Sequence, residues 1–248
     1  MNVAAYLQRI NYGGATTPTA ATLRELHRAH MLAVPFENLD IHLGREIVLD
    51  DARLYGKVVE RRRGGFCYEL NGAFAALLRE LGFNVKKLAA GVGRADGSFG
   101  PIFDHMALMV ELEERWLADV GFGEGFREPL RLDEAGEQAQ AFGAYRIRQD
   151  GEYHILERRE GDRWLPEYRF TLQPYEYEDY TEMCRYHQTS PLSSFTRKRT
   201  CSLATTEGRV TLTNNRLITT KAGARTEREL ADDLEVAAVL RDQFGVVL

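Results

Sequence analysis

The spacing of apolar residues changes twice along the chain. Up to about residue 83 it follows a helical period. VAAYLQRI opens the chain, and TAATLRELHRAHML carries Leu23, Leu26, His30 and Val34 at helical steps behind a Thr19 N-cap. PFENLD at 35–40 interrupts that helix, because proline cannot continue the hydrogen-bond ladder. DARLYGKVVERRR predicts another helix, capped by Asp50 or Asp51 and closed by Gly64 and Gly65. RRRGGFCYELNGAFAALLRELGF predicts a further one whose apolar face runs through Leu70, Phe74, Leu77, Leu78 and Leu81, with Cys67 on that face in its first turn.

From residue 84 to about 170 the period falls to two, in NVKKLAAGV, HMALMVEL, RWLADV, AYRIRQ and HILERR, which predicts an antiparallel region, a small barrel. Beyond Pro174, YEYEDYTEMCRYHQ reads as a helix, SLATT, RVTLTNN and RLITT as short strands, and TERELADDLEVAAVLRDQF as a terminal amphipathic helix. Helical, β and mixed segments in succession argue against a doubly wound parallel sheet and for an α+β chain.

Composition adds exclusions. Of 248 residues, 44% are hydrophobic and 28% charged, as in an ordinary globular protein without low-complexity stretches. The formal charge of -5 comes from interspersed acids and bases, so neither nucleic acid nor a polybasic membrane contact is expected. The basic run Arg61 to Arg63 reads as a solvated helix end. No apolar run is long enough to span a bilayer and the first residues lack a signal-peptide pattern, so a cytosolic, cytoplasmic location is expected. Three widely spaced cysteines, Cys67, Cys184 and Cys201, fit reduced thiols better than a disulfide framework. The histidines form no HxH or HExxH pattern, and no metal is expected.

Cys67 has two competing readings. Its stripe position suits a buried core cysteine, yet a helix N-terminus presents unpaired N–H groups that favour a thiolate. A thiol nucleophile needs a base and a group to orient it. HMALMVELEERWLADVGFG offers both: His105, Ala107 and Met109 share one strand face, and Leu117 and Asp119 share one face of the next strand. A hairpin centred on Glu113 sets Asp119 across from Ala107, within diagonal reach of His105. A two-residue turn at Glu113 and Glu114 sets it opposite Leu108, on the wrong face.

RGGFCYELN at 63–71, His105 and DVGFG at 119–123, in the order Cys, His, Asp, resemble the arylamine N-acetyltransferase family. PFENLD and SPLSSFTRKRTCSL at 190–203 resemble further signatures of that family, so the similarity spans most of the chain. The resemblance implies Cys67 as nucleophile, His105 as base and Asp119 as orienting acid. It implies a helical domain over 1–83, a β-barrel over 84–173, and a linking helix with an α/β lid over 174–248. The core arrangement resembles papain-like and transglutaminase-like cysteine enzymes. The implied reaction is ping-pong transfer of an acetyl group from acetyl-CoA to an arylamine or arylhydrazine. Phe36, Phe122 and Phe126 are implied as aromatic walls for the acceptor, with Tyr68 beside the nucleophile. GVGRADGSFGP at 91–101 resembles the family's glycine-rich loop, which points to Gly97, Ser98 and Gly100 for CoA, with Thr213 and Asn214 as further contacts.

Other functions remain open at this point. The related amide synthases close macrolactams from carrier-bound chains without free CoA, and the glycine-rich loop favours CoA over that reading. A transglutaminase-like thiol hydrolase or peptidase, and a binding protein without turnover, leave PFENLD and DVGFG together unexplained.

Overall fold

In the computed structural model, which describes residues 1–248, the first helices start where the sequence offers caps. Helix α1 (Val3–Arg9) follows Asn2, whose side chain accepts the Ala5 N–H, and α2 (Ala20–Ala33) follows Thr19, which accepts that of Thr22. PFENLD then forms a two-residue strand, β1 (Phe36–Glu37), and a short helix, α3 (Leu39–His42). Helix α4 (Asp51–Tyr55) is capped by Asp50, which accepts the Arg53 N–H at 3.0 Å. The predicted helix continues past it only as a wider π-helical turn over Gly56–Glu60. Helix α5 (Cys67–Glu80) follows.

Eight strands come next: β2 (Asn84–Val92), β3 (His105–Glu111), β4 (Arg115–Ala118), β5 (Leu130–Arg131), β6 (Gln138–Gln140), β7 (Gly143–Asp150), β8 (Tyr153–Glu160) and β9 (Arg163–Tyr175). They form one antiparallel sheet in the order β5-β4-β3-β2-β9-β8-β7-β6. Its two edges are joined by glutamine side chains. Gln138 donates to the Arg131 carbonyl at 3.0 Å and accepts the Arg131 N–H at 2.8 Å, while Gln140 donates to Glu128 at 2.7 Å and accepts from Arg127 at 3.0 Å. Side-chain amides thus substitute for a backbone ladder and nearly close a barrel.

The remainder comprises α6 (Tyr177–Thr189), α7 (Ser194–Arg197), β10 (Thr200–Thr205), β11 (Gly208–Thr213), β12 (Arg216–Lys221), β13 (Ala224–Glu229) and α8 (Asp233–Phe244). A second sheet runs β1-β10-β11-β12-β13, so Phe36–Glu37, far away in sequence, supplies its edge. The α+β class holds, but the terminal helix is shorter than its pattern predicts. Residues 224–229 are a strand, exposed throughout, with no apolar stripe for a helix to bury. The helix begins only after Asp232, whose side chain accepts the Glu235 N–H at 2.9 Å.

Strands β3 and β4 lie between two cores, and α5 fills one of them. The α5 residues Cys67 to Leu78 are all buried. Leu70, Phe74, Leu77 and Leu78 join Leu108, Val110, Trp116 and Ala118 from the outer face of β3 and β4. Ala107, Met109 and Leu117, from the opposite face, fill the barrel with Leu88, Ala90, Leu156 and Phe170. Each large apolar side chain so buried contributes about 1.5–3 kcal/mol, which makes α5 and the β3–β4 hairpin a rigid platform.

Candidate active site

Buried charge fixes the entry to α5. Lys57 Nζ lies 2.7 Å from both Asp40 Oδ2 and Glu69 Oε1, and Arg63 Nε donates to Glu37 Oε1 at 3.0 Å. Glu69 also accepts the Phe66 N–H at 3.1 Å, one half of a capping box. PFENLD and RGGFC are therefore two sides of one ion-pair network. Arg63, expected to be solvated, is only 3% exposed, which corrects the reading of the basic run. Its guanidinium has carboxylates to meet, whereas Arg61 and Arg62 remain outside. Gly64 lets this segment pass against PFENLD: a Cβ there would lie 1.9 Å from the Pro35 carbonyl oxygen.

Cys67 is the first residue of α5, so its N–H has no acceptor within the helix. Facing it is the β3–β4 hairpin. Glu111 pairs with Arg115, Val110 with Trp116 and Leu108 with Ala118, the register of a turn centred on Glu113. One step further along, that register sets Asp119 against Ala107. Asp119 Oδ2 accepts from His105 Nε2 at 2.7 Å, with both side chains at most 3% exposed.

Asn71, four residues beyond Cys67, ties helix to hairpin. Its Nδ2 donates to Asp119 Oδ1 at 2.8 Å and to the Met106 carbonyl at 2.6 Å, and its Oδ1 accepts the Val120 N–H at 2.9 Å. Gly121 allows the close approach, since a Cβ there would lie 2.8 Å from Cys67 Cα. His27 on α2 supports the acid from behind. Its Nε2 accepts the Asp119 N–H at 3.1 Å, which leaves Nδ1–H to donate to the Arg127 carbonyl at 2.9 Å.

The electrostatics follow from these contacts. Burial alone would raise the Asp119 carboxyl, but His105, Asn71 and the Gly121 N–H hold it below its ordinary value, as a carboxylate. Burial pushes the Cys67 thiol up, opposed by the Met106 backbone N–H and reinforced by Asp119 and Asp104. A thiolate in this site requires a cation beside it. Burial lowers His27 to about 4, so it stays neutral and keeps accepting.

The N-acetyltransferase family profile matches residues 19–248. The arylamine N-acetyltransferase of Escherichia coli (strain K12) is 39% identical over 245 residues, which cover 97% of this chain and 87% of that protein. The chain belongs to the arylamine N-acetyltransferase family. The solved arylamine N-acetyltransferase of Salmonella typhimurium superposes with a TM-score of 0.93 at 36% identity, covering 98% of this chain and 90% of that one. The Mycobacterium marinum arylamine N-acetyltransferase in complex with CoA gives 0.92 at 34% identity, covering 99% and 93%.

In this family member the aromatic residues divide into two groups. Phe122 stands edge-on to the His105 ring at 5.1 Å, and Phe36 packs beside the cluster that holds Cys67; both are partly exposed. Phe126 is 1% exposed inside the barrel, between His27 at 5.6 Å and Tyr145 at 5.8 Å. Tyr68 is fully buried and donates to the Phe103 carbonyl at 2.5 Å. The structure brings Phe36 and Phe122 toward the site and uses Tyr68 and Phe126 beneath it.

The glycine-rich loop is internally hydrogen-bonded. Gly97 N–H donates to Arg94, Gly100 N–H to Val92 at 2.7 Å, and the Ser98 N–H and hydroxyl to Asp96 Oδ1 at 2.9 and 2.6 Å. None of these three amides is left to cradle a pyrophosphate in this conformation. Thr213 is half-buried on β11, and Asn214 accepts the Arg199 N–H at 3.1 Å. Nowhere do three or more His, Cys, Asp or Glu side chains gather as metal ligands.

Sequence reasoning missed Asn71, His27 and Tyr168. Asn71 carried a usable signal, an amide one turn past the cysteine on the apolar face of the helix. Tyr168 did not: it comes from β9 to stack on His105 at 5.0 Å and Phe122 at 5.1 Å, its hydroxyl buried without a hydrogen-bond partner.

Proposed function

We propose that this chain transfers an acetyl group from acetyl-CoA to an arylamine or arylhydrazine through an acetyl thioester on Cys67. The observation that carries the reading is the buried His105–Asp119 pair, held against the first turn of α5 by Asn71 and Gly121. The names of the relatives, and the CoA complex of one of them, support the choice of donor and acceptor.

His105 takes the Cys67 proton, giving the imidazolium that a buried thiolate requires, with Asp119 as its counter-charge. The sulfur then attacks the thioester carbonyl. The carbonyl carbon–sulfur bond to CoA breaks, and CoA leaves with the proton from His105. The unpaired Cys67 N–H at the helix start is placed to donate to the tetrahedral oxyanion. In the second half, the amine nitrogen attacks the acetyl-Cys67 carbonyl. His105 accepts the ammonium proton and returns it as the Cys67 sulfur departs. Thioester exchange is nearly balanced in energy, so a cysteine suits a reversible carrier.

Phe36 and Phe122 form the acceptor's aromatic walls. With the amides of Gly97, Ser98 and Gly100 engaged within their loop, donor contacts through that loop require it to open, and Thr213 on the second sheet offers a hydroxyl instead. A reducing compartment such as the cytoplasm suits the chemistry, since all three cysteines are free thiols.

The test is product analysis with acetyl-CoA and aniline, or a hydrazide. Equimolar CoA and N-acetyl product, with parallel double-reciprocal lines, are expected. Acetate without amide product would establish a hydrolase, and turnover only from a carrier-linked acyl chain an amide synthase.

A further inference from the structure

We infer that His187 is a positioning residue for this chemistry: through Asp104 it fixes the backbone step that presents His105 to Cys67. The inference rests on Cys67 and His105 acting as the nucleophile and base proposed above.

Asp104 immediately precedes His105, and Phe103 before it has φ +72°, a left-handed conformation uncommon for an aromatic residue. Such a step persists only when its surroundings hold it. Here four contacts do so. The Phe103 carbonyl accepts the Tyr68 hydroxyl at 2.5 Å, and its ring packs on Tyr175 at 4.9 Å and Tyr180 at 5.1 Å. Asp104 Oδ1 lies 3.3 Å from His187 Nε2.

His187 is itself held on all sides. Its side chain is 7% exposed, its Nδ1 lies 3.3 Å from Ser193 Oγ, and its ring packs against Tyr68 at 6.0 Å, Phe66 at 6.4 Å and Phe195 at 5.1 Å. Phe66 and Tyr68 flank Cys67 in the chain. One imidazole from α6 thus touches both the residues around the nucleophile and the carboxylate beside the base. Its Nε2 is buried, without a hydrogen-bond partner, and faces Asp104 Oδ1 across 3.3 Å, so the contact holds by close approach of the two polar groups. That matters to the sulfur, because Asp104 is one of the two carboxylates that disfavour the Cys67 thiolate. His187 Nε2 is the group that the fold sets against that carboxylate.

The test reads Cys67 directly, by its second-order rate of alkylation with iodoacetamide at pH 7, followed by peptide mass, in the wild type, His187→Phe, His187→Asn, Asp104→Asn and the double variant His187→Phe/Asp104→Asn. His187→Phe keeps the aromatic packing and removes the Nε2 contact to Asp104. It should slow alkylation, and first-turnover CoA release from acetyl-CoA, about tenfold, within what sub-ångström misplacement of a base costs. Adding Asp104→Asn to His187→Phe should slow the reaction no further, since the two act through one contact. His187→Asn, which retains a hydrogen-bonding group for Ser193 but lacks the imidazole Nε2, should be slowed similarly, and it replaces His187→Phe in the comparison should that variant not fold. Wild-type alkylation in either folded His187 variant would overturn the inference, as would full multiplication of the His187→Phe and Asp104→Asn effects. Alkylation needs no acyl donor, so a wrong donor leaves this result intact, whereas an unreactive wild-type Cys67 refutes the nucleophile reading itself.

Discussion

Replacing Asn71 by alanine should damage both the fold and the chemistry, by amounts that follow from its contacts. The side chain is fully buried and makes three hydrogen bonds, to the Met106 carbonyl, the Val120 N–H and the Asp119 carboxylate. Alanine leaves two neutral backbone groups unpaired at about 1 kcal/mol or more each and removes a bond to a charge of about 1.5–3 kcal/mol. The expected loss of stability is about 4 kcal/mol, readable by urea denaturation. Asp119 would keep His105 and the Gly121 N–H but lose its link to α5. The first-turnover rate of CoA release should therefore fall about a hundredfold in folded Asn71→Ala. Asn71→Asp, nearly identical in shape, separates packing from hydrogen bonding. It places a second carboxylate against Asp119 and should impair release at least as much. Stability within about 1 kcal/mol of wild type, together with an unchanged rate, would refute the view that Asn71 assembles the site.

Gly121→Ala forces a methyl to within 2.8 Å of Cys67 Cα and 2.9 Å of the Cys67 carbonyl oxygen, so it should abolish Cys67 alkylation or prevent folding; a reactive, stable variant would contradict that packing. His27 titrates at about 4 when folded against 6.5 in the unfolded chain. The unfolded state then binds more protons between those values, and stability should fall as pH drops from about 6.5 to about 4, by about 3 kcal/mol from this group. His27→Gln should flatten the midpoint-versus-pH curve over that window. Lys57→Met strands Glu69 without its cation and leaves Asp40 to Arg63, and should cost about 3–5 kcal/mol, lowering Tm by roughly ten degrees in a scan at pH 7.

How much of this could be read beforehand depended on the range of each interaction. Periodicity and caps are local, so Thr19, Asp50 and the two-residue alternation of β2 to β4 were legible. The hairpin register reduced to one question, whether the turn centres on Glu113, and the observed pairing of Glu111 with Arg115 answers it. Contacts between distant segments gave no local signal. Strand β1 exists because Phe36 meets Ser202, and His27 matters because the Asp119 amide, 92 residues on, finds its ring. Arg63 looked like a surface charge until Glu37 and Asp40 were placed opposite it. Residues 226–229 failed differently: charged on both sides and next to a helix, they matched a helical extension, and only pairing with β12 makes them a strand.

The central claim is that Cys67 carries the acetyl group between two substrates. Mixing the protein with excess acetyl-CoA, quenching in acid and mapping peptides by mass tests it directly. The account predicts one acetyl group on the Cys67 peptide, none on Cys184 or Cys201, CoA released in equal amount, and loss of the label on adding an arylamine. Acetyl-CoA left intact beside an unmodified Cys67 would contradict it.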